Sequence, residues 1–330
     1  MSWLKVTGLL AGLALSCPLP QVASSAHAQG AAPFPNKPIT LVIGYPPGGG
    51  ADTVARFLQQ SVSTILGQRV LVENRPGASG RTAADHVARA KRDGYTLLVS
   101  PEGPIVIGPH ISQTVTYDAL KDLQPVSLLT KTSTMLVATP KLPVSSVKEL
   151  LDLVQSKPGG VYFGSSGVGG PNHLAGEVFK QLTGAKIVHV PYPGTGAVIP
   201  AVLSGEVDLM FGFVPGLDPL VRSNSVKPLA VGSATRIASL PEVPTMAEAG
   251  VQGYDMTSWI GLFAPGGTPE PVLAKLQSAM AQAMNEPEVS GRLKGMGFDL
   301  VASEPGAFAA FLKTEDAKYI ALLKPLDIKE

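Results

Sequence analysis

The chain has 330 residues, with 26 Lys and Arg against 25 Asp and Glu and a formal net charge of +1. That near-balance excludes the basic surface that nucleic acid or an anionic membrane requires. A lone cysteine, Cys17, excludes a disulfide framework, and 36 glycines with 30 prolines fall short of the roughly 25–30% that marks a disordered chain. About 300 residues suffice for a sizeable core, divided between two lobes because single cores stop growing near that size.

Lys5, the apolar residues 6–15 and the small-x-small site Ala26-His27-Ala28 predict a secretory signal peptide over residues 1–28, and hence a periplasmic protein. The apolar stretch is too short for a bilayer, which needs about 20 residues. Cys17 follows Ala14-Leu15-Ser16, a loose likeness to a lipoprotein processing site, but Leu15 is out of place and Pro18 follows; no lipid anchor is expected. Lys5 is the only charged residue before position 29, which leaves 25 charges of each sign and no cysteine in the remainder.

Strand-like and helix-like segments then alternate. Residues 39–43 form an apolar run, followed by a helix over 52–66, a strand at 70–72, a helix at 83–90 and a strand at 95–99. Such continuous apolar runs suit buried parallel strands with helices on both faces. A second series starts after residues 135–138: helix 147–155, strand 161–163, helix 173–182, strand 187–190, helix 197–203, strand 207–211 and strand 229–231. Helices follow at 272–284, with Pro269 near its start, and at 307–323 after Pro305. These C-terminal helices have no strands of their own, so the simplest arrangement returns them to the first lobe. The chain then crosses between lobes twice, near Thr139 and near Gly261. The expected fold is α/β, a hinged, two-lobed molecule with a ligand cleft facing the C-terminal ends of the strands. Residues 35–138 and 262–330 make lobe 1, and residues 139–261 make lobe 2.

The loop Tyr45-Pro46-Pro47-Gly48-Gly49-Gly50-Ala51-Asp52-Thr53 lies between a strand and a helix, where backbone N–H groups converge on an anion. It is no nucleotide loop: Ala51-Asp52-Thr53 replaces the Gly-Lys-Ser/Thr of a Walker A sequence, and the glycine spacing does not fit a Rossmann fingerprint. Asp52 is expected to cap the helix. A second loop, Gly164-Ser165-Ser166-Gly167-Val168-Gly169-Gly170-Pro171-Asn172-His173, has the same strand-to-helix context. It fails the serine-hydrolase elbow pattern at Val168, which leaves His173 and His189 with no nucleophile to serve. His86, His110, His173 and His189 never fall at metal-ligand spacing, so neither metal nor cofactor is expected. Weaker candidates are the Tyr192-Pro193-Gly194-Thr195-Gly196 turn, Asp208 behind it, Ser100-Pro101-Glu102-Gly103 at a strand end, and Arg75 in the Glu73–Gly80 turn, read as a surface or bracing residue.

Taken in order, these segments resemble the Bug family of periplasmic solute-binding proteins, the receptors of tripartite tricarboxylate transporters. The resemblance rests on Lys37-Pro38-Ile39, Tyr45-Pro46-Pro47-Gly48-Gly49 with Asp52, Val72-Glu73-Asn74-Arg75-Pro76-Gly77-Ala78 and Asp93-Gly94-Tyr95-Thr96-Leu97-Leu98. It continues through His173-Leu174-Ala175-Gly176-Glu177, Val190-Pro191-Tyr192 and Gly205-Glu206-Val207-Asp208-Leu209-Met210-Phe211. It implies a two-lobed receptor of the type II kind that closes on a carboxylate. It also implies ligand contacts from Tyr45, Gly49, Gly50, Ala51 and Asp52 of one lobe and Ser165, Ser166, Gly170, Asn172 and His173 of the other, with Tyr192 and Asp208 nearby; Ser100, at a strand end of the first lobe, is a further expected contact. Glu102 departs from the family pattern; it is expected to face solvent.

The expected function is a periplasmic receptor, not an enzyme, that binds a small organic acid and delivers it, as a monomer, to integral-membrane transporter subunits. An exported α/β hydrolase or transferase, or a ligand-presenting subunit of a sensor system, are the alternatives.

Overall fold

The computed structural model describes residues 33–157 and 160–326; the expected signal peptide and Cys17 lie outside them. In chain order the elements are β1 (Ile39–Ile43), α1 (Gly50–Leu66), β2 (Val70–Asn74), α2 (Arg81–Ala88) and β3 (Thr96–Pro101). A wide helical turn at Gly103–Ile107 leads to the short helices α3 (Gly108–Ile111) and α4 (Ala119–Asp122), then to β4 (Leu123–Ala138). Next come α5 (Val147–Ser156), β5 (Val161–Ser165), α6 (Pro171–Thr183), β6 (Ile187–Pro191), α7 (Thr195–Ser204), β7 (Leu209–Phe213), α8 (Val214–Arg222) and β8 (Lys227–Val231). The chain finishes with β9 (Thr257–Pro265), α9 (Glu270–Asn285), α10 (Pro287–Gly295), β10 (Asp299–Leu300) and α11 (Pro305–Leu323).

The sheet has two halves that share β4. In the first, the order is β2-β1-β3-β9-β4, with β10 on the far side of β4. In the second, it is β6-β5-β7-β4-β8. The two orders are the same topology used twice. A β-α-β-α-β series supplies three parallel strands, and an antiparallel strand that runs between the halves comes next to the third. That strand is β9 in the first half and β4 in the second. β4 changes partners between Ser133, opposite Thr257 of β9, and Thr134, opposite Phe213 of β7. The fold is thus the expected two-lobed α/β molecule, with mixed rather than purely parallel sheets.

Only residues 135–138 of β4 stand out as a strand in the sequence, because its middle is polar yet buried: Ser127, Thr130 and Thr132 to Thr134. Most of these hydroxyls find a carbonyl and so bear burial. Ser127 donates to Ser303 at 2.8 Å, Thr132 to Gly297 at 3.0 Å and Thr134 to Met256 at 2.6 Å.

Helices cover both faces of the first sheet. Ile39, Leu41 and Ile43 pack with α1 and with Leu273, Leu276 and Met280 of α9, while Val42 faces the core that holds Ala83, Ala84 and Val87 of α2. The period of two sends alternate residues to opposite faces, and both are dry. α1 buries Val54, Ala55, Leu58, Val62 and Leu66, one helical stripe, and stops at Gly67, where φ is 63°. α9 lies in the same core as α1, so a C-terminal helix closes the face over the first strand.

Candidate ligand-binding site

Equivalent loops of the two half-sheets meet. The β1–α1 loop carries Tyr45 and Pro46, and its counterpart between β5 and α6 carries Ser165 to Gly170. The next pair of strand-to-helix turns carries Ser79 and Gly194. A methyl placed on Gly194 would lie 4.0 Å from Cγ of Pro46, and one on Gly167 would lie 3.7 Å from Oγ of Ser79. A methyl on Gly103 would lie 2.9 Å from Oη of Tyr45 and 3.9 Å from Cδ of Pro171. Strand C-termini with convergent N–H groups are where open α/β sheets hold ligands.

Asp52 shapes the first loop. The helix cap is Gly49, not Asp52 as expected, because α1 begins two residues earlier and puts Asp52 on its first turn. From there the carboxylate reaches back, Oδ2 accepting from Gly48 N–H at 3.0 Å and Arg56 Nε at 2.9 Å, and Oδ1 accepting from Asn74 at 2.9 Å. The same Asn74 amide donates to the carbonyl of Tyr45 at 3.0 Å. Burial opposes ionisation of Asp52, but the bonds from Arg56, Gly48 and Asn74 outweigh it and hold the carboxyl below its usual range. Gly49 and Gly50 carry no capping side chain, so first-turn N–H groups of α1 face the loop without an intrahelical acceptor. Tyr45 donates to the carbonyl of Ser79 at 2.8 Å; burial, then the nearby Glu102, pushes its hydroxyl pKa upward.

The second loop is braced from within. Ser166 Oγ donates to Asn172 Oδ1 at 2.9 Å, and the Asn172 amide donates to the carbonyl of Phe211 at 2.5 Å. Gly170 caps α6 with Pro171 at its first position, and Gly169 has φ of 70° where a methyl would run into Cδ1 of Ile111. Gly169 N–H donates to Nδ1 of His173 at 3.1 Å. Ser165 is fully buried, and its Oγ lies 2.6 Å from Nε2 of His189 and 3.0 Å from the carbonyl of Gly167. The serine–histidine contact was invisible in the sequence because it joins the end of β5 to the middle of the neighbouring strand β6. Tyr192 N–H donates to the carbonyl of Ser165 at 2.9 Å, and its hydroxyl donates to Glu206 at 2.7 Å.

Tyr45, Gly49, Gly50, Ala51 and Asp52 fall on the first loop and the opening turn of α1, and Ser165, Ser166, Gly170, Asn172 and His173 on the second loop and the opening turn of α6, with Tyr192 on the turn beside it. The close approaches between the two sides run through Pro46 and Gly194, Ser79 and Gly167, and Gly103 and Pro171, whereas a methyl on Gly50 would meet Ile260 and Phe298. Asp208 is apart from these loops. It accepts from Tyr162 N–H at 2.8 Å and pairs with Lys157 at 3.0 Å, bracing the opposite end of β5. Ser100 is buried in β3, its hydroxyl donating to the carbonyl of Pro101 at 2.9 Å. Glu102 corrects the expectation of a solvent-facing acid: it is wholly buried and accepts from Ser258 Oγ and Trp259 N–H of β9. Ser79 and Gly103 lie in the two segments read as weaker candidates, the Glu73–Gly80 turn and the end of β3, but neither residue stood out in the sequence because neither falls in the glycine-rich loop directly after β1 or β5. Among the described residues no cluster of three or more His, Cys, Asp or Glu is placed to hold a metal ion, and no helix is long and apolar enough to cross a membrane.

A profile described as the tripartite tricarboxylate transporter family receptor matches residues 54–328. The BugT protein of Bordetella pertussis is 32% identical over 297 residues, covering 90% of this chain and 91% of its own. MatC from Rhodopseudomonas palustris, solved with bound malate, is 32% identical and superposes with a TM-score of 0.83 over 88% of this chain and 100% of its own. A second protein of R. palustris, Rpa4515, solved with adipate, is also 32% identical, with a TM-score of 0.85 over 88% of this chain and 97% of its own.

Proposed function

The chain belongs to the tripartite tricarboxylate transporter receptor family, and from that premise we propose that it is a periplasmic receptor that binds a small organic carboxylate and hands it to membrane transporter subunits. The observation that carries the reading is the pair of topologically equivalent loops facing each other, supported by the likeness to solved structures that hold malate and adipate. In the proposal one carboxylate lies between them, held by N–H groups at the start of α1 and by the Ser165–Gly170 backbone. Neutral dipoles suit the task, because they fix an anion without burying an opposite charge that must be desolvated. Asp52, Asn172 and Ser166 act mainly by fixing the loops.

In this reading the two crossings expected near Thr139 and Gly261 sit a few residues earlier, where β4 changes partners at Ser133 and Thr134 and where residues 256–257 return into β9. The lobes are then residues 35–133 with 257–330 and residues 134–256, and the hinge is at those two crossings. Closure about two connecting segments admits the ligand when open and surrounds it when shut. The receptor acts as a monomer and carries no catalytic group. Calorimetric titration with malate, adipate, tricarboxylates, aromatic acids and amino acids tests this. Binding of an acid is expected; turnover of an ester or amide with no acid bound would sink the reading.

One observation favours a hydrolase instead, the 2.6 Å contact of Ser165 with His189. Against it, the Ser165 hydroxyl is buried and shared with Gly167, and no carboxylate hydrogen bond orients His189 among the described residues. A nucleophile needs both access and an oriented base.

A further inference from the structure

An imidazole grips each end of the Ser165–Gly170 loop. Gly169 N–H donates to Nδ1 of His173 at 3.1 Å, and Ser165 Oγ meets Nε2 of His189 at 2.6 Å. The two rings are stacked, with centroids 3.8 Å apart, and the His189 ring lies 5.0 Å from that of Phe163. His173 follows Gly169 by four residues, so its ring folds back over the start of its own helix. An imidazole nitrogen that accepts a hydrogen bond carries no proton. His173 is therefore the Nε2–H tautomer, its Nε2 lying 3.7 Å from Oε1 of Glu177.

We propose that His173 and His189 are positioning residues: as a stacked pair of neutral imidazoles they hold the ligand loop in shape, and protonation of His173 releases Gly169. The consequence for ligand rests on the carboxylate-receptor reading; the hold on the loop does not. Protonated Nδ1 is a donor, so it would set N–H against N–H and break the Gly169 bond.

The surroundings keep the pair neutral. On α6 the charged neighbours are Glu177 and Lys180, which pair with each other at 2.9 Å. On β6 the titratable neighbour is His189 itself, and β5 contributes the uncharged Phe163 and Ser165. Burial is the leading cause that lowers both pKa values to about 4, and Lys180 lowers both further; His173 also lowers that of His189, which Glu177 raises. Two cations stacked this closely would repel, so the second proton is harder still to add.

The test follows the Gly169 amide by hydrogen exchange and the imidazole nitrogens by NMR in the full chain. In the wild type, the Nε2–H tautomer of His173 is expected at pH 7. The protection factor of Gly169 is expected to fall about tenfold or more in step with His173 protonation. His173→Asn places Oδ1 where Nδ1 was, keeping an acceptor that cannot titrate. It should retain protection and lose the pH dependence, while His173→Leu should lose protection at every pH. Titrations with malate and adipate run alongside, with affinity expected to track Gly169 protection. An Nδ1–H tautomer, protection that survives protonation, or equal protection in the Asn and Leu variants would overturn the inference. If the Leu variant does not fold, the wild-type titration decides alone. A wild type that binds neither acid while Gly169 behaves as expected supports the loop inference and counts against the carboxylate reading only.

Discussion

The carboxylate of Glu102 accepts a 2.8 Å hydrogen bond from the hydroxyl of Ser258, tying the end of β3 to the strand on which the chain returns from the second lobe. Trp259 N–H reaches the same oxygen at 3.3 Å, while Oε1 is buried with no partner among the described residues. Burial, helped by the charge of Glu315 and opposed by these bonds, raises the Glu102 pKa from 4.5 to about 7. The folded state thus keeps a proton between those values that the unfolded chain has lost. The resulting stabilisation is full below pH 4.5 and disappears as pH rises through 7. Glu102→Gln, which cannot ionise, should remove a loss on the order of 2 kcal/mol between pH 5 and pH 8. Urea unfolding at the two pH values reads it; parallel profiles for variant and wild type would mean Glu102 is not the group.

The two histidines pull the other way. Their folded pKa values of about 4 lie below the ordinary 6.5, so the unfolded chain binds more protons between these limits. Their contribution is present above pH 6.5 and lost as pH falls toward 4. Two such groups outweigh one Glu102 between about pH 4.5 and 6.5, and only Glu102 acts just above. A thermal-melting scan from pH 4 to pH 8 should peak near pH 6.5; a Tm still rising at pH 8 would contradict the assignment for Glu102.

Asp52 tests whether loop shape governs binding. Asp52→Ala frees Gly48, Arg56 and Asn74 together, three bonds to one ionised carboxylate, of which that from Arg56 joins two charges. Stability should drop by about 1–3 kcal/mol, and affinity for the bound acid should fall although α1 keeps its N–H groups. Calorimetry on Asp52→Ala and Asn74→Ala should show losses that do not add, since both break one network. Additive losses would separate Asp52 from the Tyr45 carbonyl.

Gly44 precedes the loop at a backbone crossing. A methyl there would lie 2.5 Å from Cα and 2.7 Å from the carbonyl oxygen of Gly80. Backbone cannot swing aside as a side-chain tip does, so Gly44→Ala should cost about 1–3 kcal/mol and displace Tyr45. Chemical denaturation measures the loss, and a neutral substitution would mean the Gly80 turn yields.

Trp259 reports on closure. It is the only tryptophan after residue 28, is buried against Phe308 and Phe311, and donates from Nε1 to Glu315 at 3.0 Å. Its place at the start of β9 exposes it to any rotation of the returning segment. A bound acid should change its emission saturably, with the midpoint given by calorimetry. Binding without any change would place the moving hinge elsewhere.

Most local elements, and the shared strand-to-helix context of two glycine-rich loops, are legible from adjacent residues. Short apolar runs such as residues 39–43 and 161–163 read as strands, although Tyr162 turns out exposed, and glycines at 67, 184 and 205 stop helices because φ turns positive there. Partnership across the chain is not legible in this way, because it depends on which distant segments pack together. The polar stretch of β4 does not look like a strand until Ser303, Gly297 and Met256 supply its acceptors. Glu102 looks like a surface acid until β9 lies over it. Ser165 and His189, 24 residues apart, meet only because β5 and β6 are neighbours in the sheet. Local preference is written in adjacent residues, whereas the cost of burying a polar group depends on which distant atoms arrive to satisfy it.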